Sequence, residues 1–156
     1  MRLEHKKIFE SLVDWQLLGL NIEREAGGES YEGRVAVGTV TLERVDHRDW
    51  DGKTLKEVIL KRWQFSWTMP EAGEDYYEKA VWIASNWVDA YRKTKSLQEC
   101  CEIAMGLLNG QIPRDPDLAN CYQYMNPKTA EPGQEAKLLK SVMKIIKNIG
   151  AHRFYA

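Results

Sequence analysis

The sequence predicts a mostly helical fold in a single domain. Its 156 residues are 44% hydrophobic, with 22 basic against 23 acidic side chains, and a chain of this size buries enough surface for a core of its own. Apolar residues recur at helical spacing through most of the chain. Two segments, Thr54-x-x-Glu57 and Ser96-x-x-Glu99, also fit the capping box that begins many helices. We therefore expect one domain over residues 1–156, built largely from helices.

Six helices are expected from the apolar pattern. They cover about residues 3–24, 31–46, 54–62, 74–93, 96–109 and 134–149. Gly19 is a weak point in the first helix, which ends at Gly27-Gly28, and Ser30 is available to cap the second. Asn109-Gly110 closes the fifth. The glycine pair thus forms a corner between the first two helices.

The segment 110–133 is expected to be a long loop. It contains four of the five prolines, so it cannot be one continuous helix, and long ordered loops often carry function. In the helix that follows, the inward residues would be Leu138, Val142, Ile145, Ile146 and Ile149. Its other face would carry Lys137, Lys140, Lys144 and Lys147. Residues 134–156 hold five basic and one acidic side chain, or +4, against −5 for the rest, which predicts either a solvated face or weak contact with an anionic polymer.

Composition argues against several functional classes. With a net charge of −1, the chain has no overall attraction for nucleic acid or anionic lipid. No apolar run approaches the roughly 20 residues that cross a bilayer. The N-terminal residues lack the pattern of a signal peptide, so we expect the chain by itself to stay in the cytoplasm. Cys100, Cys101 and Cys121 are expected to be reduced thiols, and no spacing of cysteine and histidine indicates a metal site.

Carboxylates are the candidates for chemistry, because the common nucleophile, zinc and phosphate-binding motifs are missing from the sequence. Glu25 stands at the end of the first helix, just before the glycine corner, where a carboxyl can lie at the floor of a cleft. Apolar walls there would raise its pKa and keep it protonated as a general acid. A surface glutamate at a helix end is the other interpretation that the residues alone allow.

Four segments of the chain resemble one known family. Residues 25–38, EAGGESYEGRVAVG, are similar to the signature of SleB-type cell-wall hydrolases, which include spore-cortex lytic enzymes and some phage lysins. The further matches are Gln64-Phe65-Ser66, the segment YQYMNP at 122–127, and Ile149-Gly150 followed by His152, Phe154 and Tyr155. They stand in the family's order and span about residues 18–155, which leaves 1–17 as an N-terminal helical extension.

This resemblance implies a fold, a reaction and a catalytic residue. The fold would be a compact, lysozyme-like α+β domain, and the reaction would cleave the β-1,4 bond between N-acetylmuramic acid and N-acetylglucosamine. The family's catalytic acid corresponds to Glu25. The resemblance also implies a lytic transglycosylase, which forms a 1,6-anhydro sugar with one carboxyl as both acid and base and without metal or cofactor.

A second catalytic carboxylate would favour hydrolysis instead. Glu29 and Glu32 follow Glu25 closely in sequence. Glu43, in Glu43-Arg44, stands where the family usually has asparagine. If it lay near the cleft, it would add a carboxylate that holds water or alters the pKa of the acid. The alternative is that Glu43 pairs with a neighbouring arginine on the surface.

Other matched residues are candidates for binding sugar. Donors, acceptors and aromatic faces suited to acetamido groups and sugar rings are supplied by Gln64, Ser66, Tyr122, Tyr124 and Asn126. Each is equally open to a structural role. His152 is expected to be a buried histidine that fixes the C-terminal segment, with a direct catalytic role as the alternative. Trp63 or Trp67, beside Gln64, would be able to stack on a sugar.

We therefore predict a monomeric peptidoglycan glycosidase, either a phage endolysin or a virion-associated enzyme, which stays in the host cytoplasm until it is released to the wall. Its partners would be glycan strands, with no nucleic acid and no membrane span. The alternatives are a hydrolytic muramidase that uses a second carboxylate, a peptidoglycan amidase, and a non-enzymatic wall-binding or virion module.

Overall fold

Eight α-helices and three short strands make up the part of the chain that the structure describes. The computed structural model describes residues 1–47, 52–130, 132–140 and 143–156. The helices are α1 (Leu3–Ser11), α2 (Asp14–Ala26), α3 (Tyr31–Asp46), α4 (Leu55–Leu60), α5 (Glu74–Ser85), α6 (Trp87–Lys93), α7 (Lys95–Asn109) and α8 (Gln134–Lys140). The strands are β1 (Gln123–Met125), β2 (Ile145–Ile149) and β3 (His152–Tyr155). The expected mostly helical α+β domain is confirmed.

The centre of the fold is the contact between α2 and α7, which pack against each other more extensively than any other pair of described elements. Gly19 allows this close approach, because a Cβ built there would lie 2.6 Å from the Cys101 Sγ. Gly19 is therefore a packing site in the middle of an intact α2 and not the weak point expected from sequence. The three cysteines are buried free thiols, as expected.

Two of the predicted long helices are each divided in two. The first breaks at Leu12 and Val13, whose backbones are extended, and the segment 74–93 breaks at Asn86. Val88, just after the second break, is consequently 60% exposed. These short breaks turn the chain so that α1 packs on α5 and α6 packs on α7.

The helix ends test the capping predictions one by one. The Ser30 Oγ accepts from the Gly33 N–H at the start of α3, the box of Thr54 and Glu57 is formed, and Gly110 ends α7 with a left-handed φ of 77°. The capping box predicted at Ser96 was wrong, because α7 begins at Lys95 and Thr94 is its N-cap. The Ser96 hydroxyl instead donates to the Gly27 carbonyl.

The predicted helix 134–149 was also wrong. Helix α8 ends at Lys140, and residues 145–149 form a strand that pairs antiparallel with β3. The expected inward positions Ile145 and Ile146 are 44% and 42% exposed, while Val142 lies outside the described residues. The continuous lysine face does not exist either, because the Lys147 ammonium, on β2, is held by Asp115 and Asp117.

The three strands form a small sheet in the order β1-β3-β2. Strand β1 lies inside the segment 110–133, which is therefore not only loop, and pairs Tyr124 with Phe154 of β3. The sheet packs on α3 through a small core of its own, formed by Ala36, Val40, Leu118, Cys121, Ile149 and Phe154. Tyr124 is thereby placed against the helical part of the fold. Within the ranges described, no helix is both long and apolar enough to span a bilayer.

Candidate active site

Glu25 lies in the last turn of α2, where the chain bends into the glycine corner. The corner is held from two sides, since the Ser96 hydroxyl and the Arg34 guanidinium both donate to the Gly27 carbonyl, at 3.1 and 2.6 Å. Arg34 is fixed in turn by an ion pair with Glu99 of α7. The residues after Glu25 are therefore anchored, and its side chain is directed into the space between α2, α5 and the sheet.

The Glu25 carboxyl is bound on one oxygen and unbound on the other. The Tyr124 hydroxyl donates to Oε2 at 3.2 Å. Oε1 is buried and, among the described residues, has no hydrogen-bond partner. Burial raises the pKa of Glu25 to about 7, against the opposing effects of the Tyr124 hydrogen bond and the charges of Arg44 and Arg24. The raised pKa favours the protonated form of this carboxyl up to near-neutral pH, as a general acid requires.

Tyr124 reaches Glu25 because β1 presents it on the face of the sheet. Its ring packs edge-on against His152, with centroids 5.3 Å apart, and lies 5.6 Å from Phe154. Burial raises the pKa of the Tyr124 phenol well above its usual value, and the nearby Glu25 charge adds to this. Tyr124 is therefore a permanent hydrogen-bond donor to the carboxyl.

Arg44 joins two of the family-like segments, 64–66 and 122–127, near Glu25. This buried arginine of α3 donates from Nε to the Tyr122 carbonyl at 2.8 Å and from Nη1 to the Gln64 Oε1 at 3.3 Å. Its guanidinium lies 5.0 Å from the Phe65 ring and 5.8 Å from the Tyr124 ring. Sequence reasoning placed Arg44 only in a dipeptide with Glu43. It lies in none of the four family-like segments, so the signal in the sequence was only the dipeptide itself, at a position that has a counterpart in the family.

A pocket of about 660 Å³ opens on the other side of Glu25. Its lining residues are Glu23, Arg24, Glu25, Gly27, Gly28, Asp75, Tyr76, Lys79 and Ser96. Burial and the Glu25 charge raise the pKa of Tyr76 to about 12, and the Arg24 guanidinium lies 3.9 Å from the Tyr76 ring. Sequence reasoning missed Arg24, Asp75 and Tyr76, because nothing in the sequence indicates that α5 lies beside the end of α2.

Of the three alternative carboxylates named from sequence, Glu32 is exposed and does not line the Glu25 pocket, and the other two make structural contacts. Glu43 accepts from Arg114 and from the Asn120 N–H, both at 3.0 Å, as its alternative interpretation expects. Glu29 accepts from the Ala151 N–H at 3.1 Å and holds the turn between β2 and β3. Neither residue lines the pocket at Glu25.

The predicted sugar-binding residues are only partly brought together. Gln64 and Tyr124 lie around Arg44, whereas Ser66 is exposed at the start of a 3₁₀ turn. The Tyr122 hydroxyl contacts His47 and Asn120. The Asn126 side chain accepts from the Lys128 N–H and shapes a turn.

His152 and the tryptophans can now be placed. His152 is buried beside Tyr124 and packs on it, and burial lowers the pKa of its ring. Trp67 was wrong as a candidate for stacking on sugar, because it is fully buried and donates from Nε1 to Asn21. Trp63 is 66% exposed, with a positive φ of 72° and the Arg62 guanidinium 4.9 Å from its ring.

The mostly helical fold, with a carboxyl of raised pKa at the edge of a pocket, is typical of enzymes that cleave glycosidic bonds by acid and base catalysis. The family model described as Cell Wall Hydrolase matches residues 28–155. The chain belongs to this family and is a peptidoglycan-degrading enzyme. Glu25 lies three residues before the matched range.

Solved structures of the same type share this fold. One is the catalytic domain of the germination-specific lytic transglycosylase SleB from Bacillus anthracis, with 24% identity, a TM-score of 0.61, and coverage of 92% of this chain and 93% of that one. Another is the catalytic domain of the Bacillus cereus SleB protein, with 24% identity, a TM-score of 0.60, and coverage of 92% and 89%. No functionally curated protein is significantly similar to the chain in sequence.

Proposed function

We propose that the chain is a lytic transglycosylase, which cleaves the β-1,4 bond between N-acetylmuramic acid and N-acetylglucosamine with Glu25 as its only acid and base. The observation that carries this proposal is the state of the Glu25 carboxyl. It has a pKa of about 7, one oxygen held by Tyr124, and the other oxygen without a partner among the described residues.

In the first step Glu25 acts as an acid. Its protonated Oε1 donates to the oxygen of the glycosidic bond while the bond from that oxygen to C1 of the muramic sugar breaks. The bonding electrons leave with the oxygen, and positive charge develops at C1. The Tyr124 hydroxyl, on Oε2, stabilises the carboxylate that this step produces.

In the second step the same carboxylate acts as a base. It takes the proton of the C6 hydroxyl of the muramic sugar, and the C6 oxygen bonds to C1 to close the 1,6-anhydro ring. No water is consumed, and Glu25 ends the cycle protonated. One carboxyl with a pKa near 7 suits both steps, because it neither gives up nor holds its proton too strongly.

The placement of the other carboxylates supports a one-carboxyl reaction. Retaining and inverting hydrolases need a second carboxylate at roughly 5 to 10 Å from the first, and Glu43 and Glu29 are engaged elsewhere. Glu23, in the pocket, is paired with Arg24.

One observation favours a second candidate function, a hydrolytic muramidase. Asp75 is exposed and lines the same pocket as Glu25. In that case Asp75 would activate a water molecule, which would attack C1 in place of the C6 hydroxyl.

Product analysis tests both candidates. Purified peptidoglycan is digested with the wild type, Glu25→Gln and Asp75→Asn, and the products are identified by mass spectrometry. The control is Glu32→Gln, an exposed glutamate in the first turn of α3. We expect anhydro sugars from the wild type, from Asp75→Asn and from Glu32→Gln, and loss of activity in Glu25→Gln.

Other outcomes would contradict the proposal. Reducing ends that disappear with Asp75→Asn would establish the hydrolase, and free stem peptides would indicate an amidase. Full activity in Glu25→Gln would remove Glu25 from the reaction.

We also propose that the enzyme serves as a phage endolysin, confined to the host cytoplasm until it is released to the wall. The support is the likeness of its sequence segments to a family that includes phage lysins. Expression in bacteria with and without a membrane-permeabilising protein tests this role. We expect lysis only when the membrane is permeabilised, and lysis without it would contradict the proposal.

A further inference from the structure

Arg24 is the feature of the pocket that the proposed reaction leaves unused. It precedes Glu25 directly, is only 7% exposed, and lines the same pocket. Its Nη1 lies 3.3 Å from the Glu23 Oε2, and its guanidinium lies 3.9 Å from the Tyr76 ring. Its Nε–H is buried and has no hydrogen-bond partner among the described residues. Buried donors in native proteins are almost always satisfied, so this one requires an explanation.

The Arg24 Nε and the Glu25 Oε1 belong to neighbouring residues that line the same pocket. Tyr76 connects them, because its ring contacts the Arg24 guanidinium and its phenol is influenced by the Glu25 charge. Within the part of the chain that the structure describes, these two neighbours thus each keep a buried polar atom without a partner. A single ligand that supplies a hydrogen-bond acceptor to Arg24 and the glycosidic oxygen to Glu25 would satisfy both.

The charges around Arg24 indicate that this acceptor is neutral. The positive charge of Arg24 is already paired with Glu23, whose side chain is also largely buried. Of the other charged residues that line the pocket, Asp75 is acidic and Lys79 is basic. An additional carboxylate would therefore find no uncompensated positive charge at Arg24. An amide carbonyl suits a single N–H donor without a charge penalty.

We propose that the Arg24 Nε–H binds the acetamido carbonyl oxygen of a sugar beside the cleaved bond, and that cleavage therefore depends on N-acetylation of the glycan. This inference rests on the proposed function. Arg24 is then a substrate-binding residue that holds the sugar while Glu25 delivers its proton. Removal of the acetyl group and removal of the arginine side chain should have the same effect, because each deletes one partner of the same hydrogen bond.

The test compares two substrates and matched variants. Glycan strands freed of stem peptides are used N-acetylated and de-N-acetylated, and a re-acetylated portion checks that the strands are intact. Values of kcat/KM are measured for the wild type, for Arg24→Met, and for Arg92→Met as a control at an exposed arginine of α6. A hydrogen bond to a charged donor corresponds to a factor of about 10 or more.

We expect the wild type and Arg92→Met to prefer the N-acetylated strands by about 10-fold or more. Arg24→Met should lose this factor on the N-acetylated strands and change little on the de-N-acetylated ones. Because a lone buried Glu23 could destabilise Arg24→Met, the double variant Glu23→Gln/Arg24→Met removes both charges. It should show the same lost preference, with its folding checked by thermal unfolding.

Equal losses on both substrates would overturn the inference and leave Arg24 with a structural role. Strands that still carry their stem peptides are measured in parallel. A loss confined to them would also overturn the inference, because it would assign Arg24 to the peptide. Neither result affects the proposed function. That function fails separately, if Glu25→Gln keeps its activity on the N-acetylated strands.

Discussion

The hydroxyl of Tyr124 donates to the Glu25 Oε2 at 3.2 Å, and the two residues lie 99 positions apart in the chain. The bond favours the charged form of the carboxyl and so holds the pKa of Glu25 below the value that burial alone would give it. A helix thus supplies the carboxyl, and a strand of the small sheet supplies the donor that lowers its pKa.

Tyr124→Phe should therefore raise the pKa of Glu25 above about 7. We expect the alkaline limb of the pH profile of activity, where the acid form is lost, to move up by about one pH unit. The pH dependence of kcat/KM on peptidoglycan measures it. An unchanged or acid-shifted limb would mean that the hydrogen bond does not influence the acid.

The raised pKa of Glu25 also predicts how stability depends on pH. The folded protein holds this proton up to pH about 7, whereas the unfolded chain releases it near 4.5. The contribution of Glu25 to stability is therefore complete below pH 4.5 and is lost as the pH rises to about 7. At pH 8 the free energy of unfolding of Glu25→Gln, measured with denaturant, should exceed that of the wild type by about 1–3 kcal/mol. This difference should disappear at pH 4. Glu32→Gln should show no such pH-dependent difference.

Glu43→Asn should leave the products and the pH profile unchanged. Glu43 is held by Arg114 and the Asn120 N–H and does not line the Glu25 pocket, so its loss should cost only about 1 kcal/mol of stability. Product analysis and denaturant unfolding of Glu43→Asn, beside Arg114→Met, check both statements. A change from anhydro to reducing products would return Glu43 to the reaction.

Gly150→Ala should destabilise the sheet. Gly150 has a φ of 56°, and a Cβ there would collide with the Glu29 carboxylate that holds the turn. We expect a loss of about 2 kcal/mol or more in the free energy of unfolding. Gly28→Ala is the matched control, because a Cβ at Gly28 meets nothing within 4 Å. Similar stabilities of the two variants would contradict this account of the turn.

Sequence alone was sufficient for the features that local chemistry determines. The helical class, the cap at Ser30, the box at Thr54 and the position of Glu25 before a glycine corner follow from short-range patterns. Strand β2 was missed because Leu138, Ile145 and Ile149 also fit a helical spacing. Only the pairing of β2 with β3 decides in favour of the strand.

The candidate site was predictable on one side only. The family-like segments identified Gln64 and Tyr124 as candidate site residues. The opposite wall of the site, with Arg24 and Tyr76, depends on how α5 packs beside α2. Such contacts between distant elements leave no periodic signal in the sequence. The same limitation applies to Arg44, whose partners Gln64 and Tyr122 are 20 and 78 residues away.

The sheet order also has a consequence for when the site is completed. Among the described strands, β1, which carries Tyr124, pairs only with β3, and β3 covers residues 152–155. During synthesis α2 and α3 leave the ribosome long before β3 does, so Glu25 emerges without the neighbour that adjusts its acidity. Until β3 is translated and docked, Tyr124 has no strand to pair with, so the Glu25 carboxyl gains the hydrogen bond that lowers its pKa only once the sheet has formed.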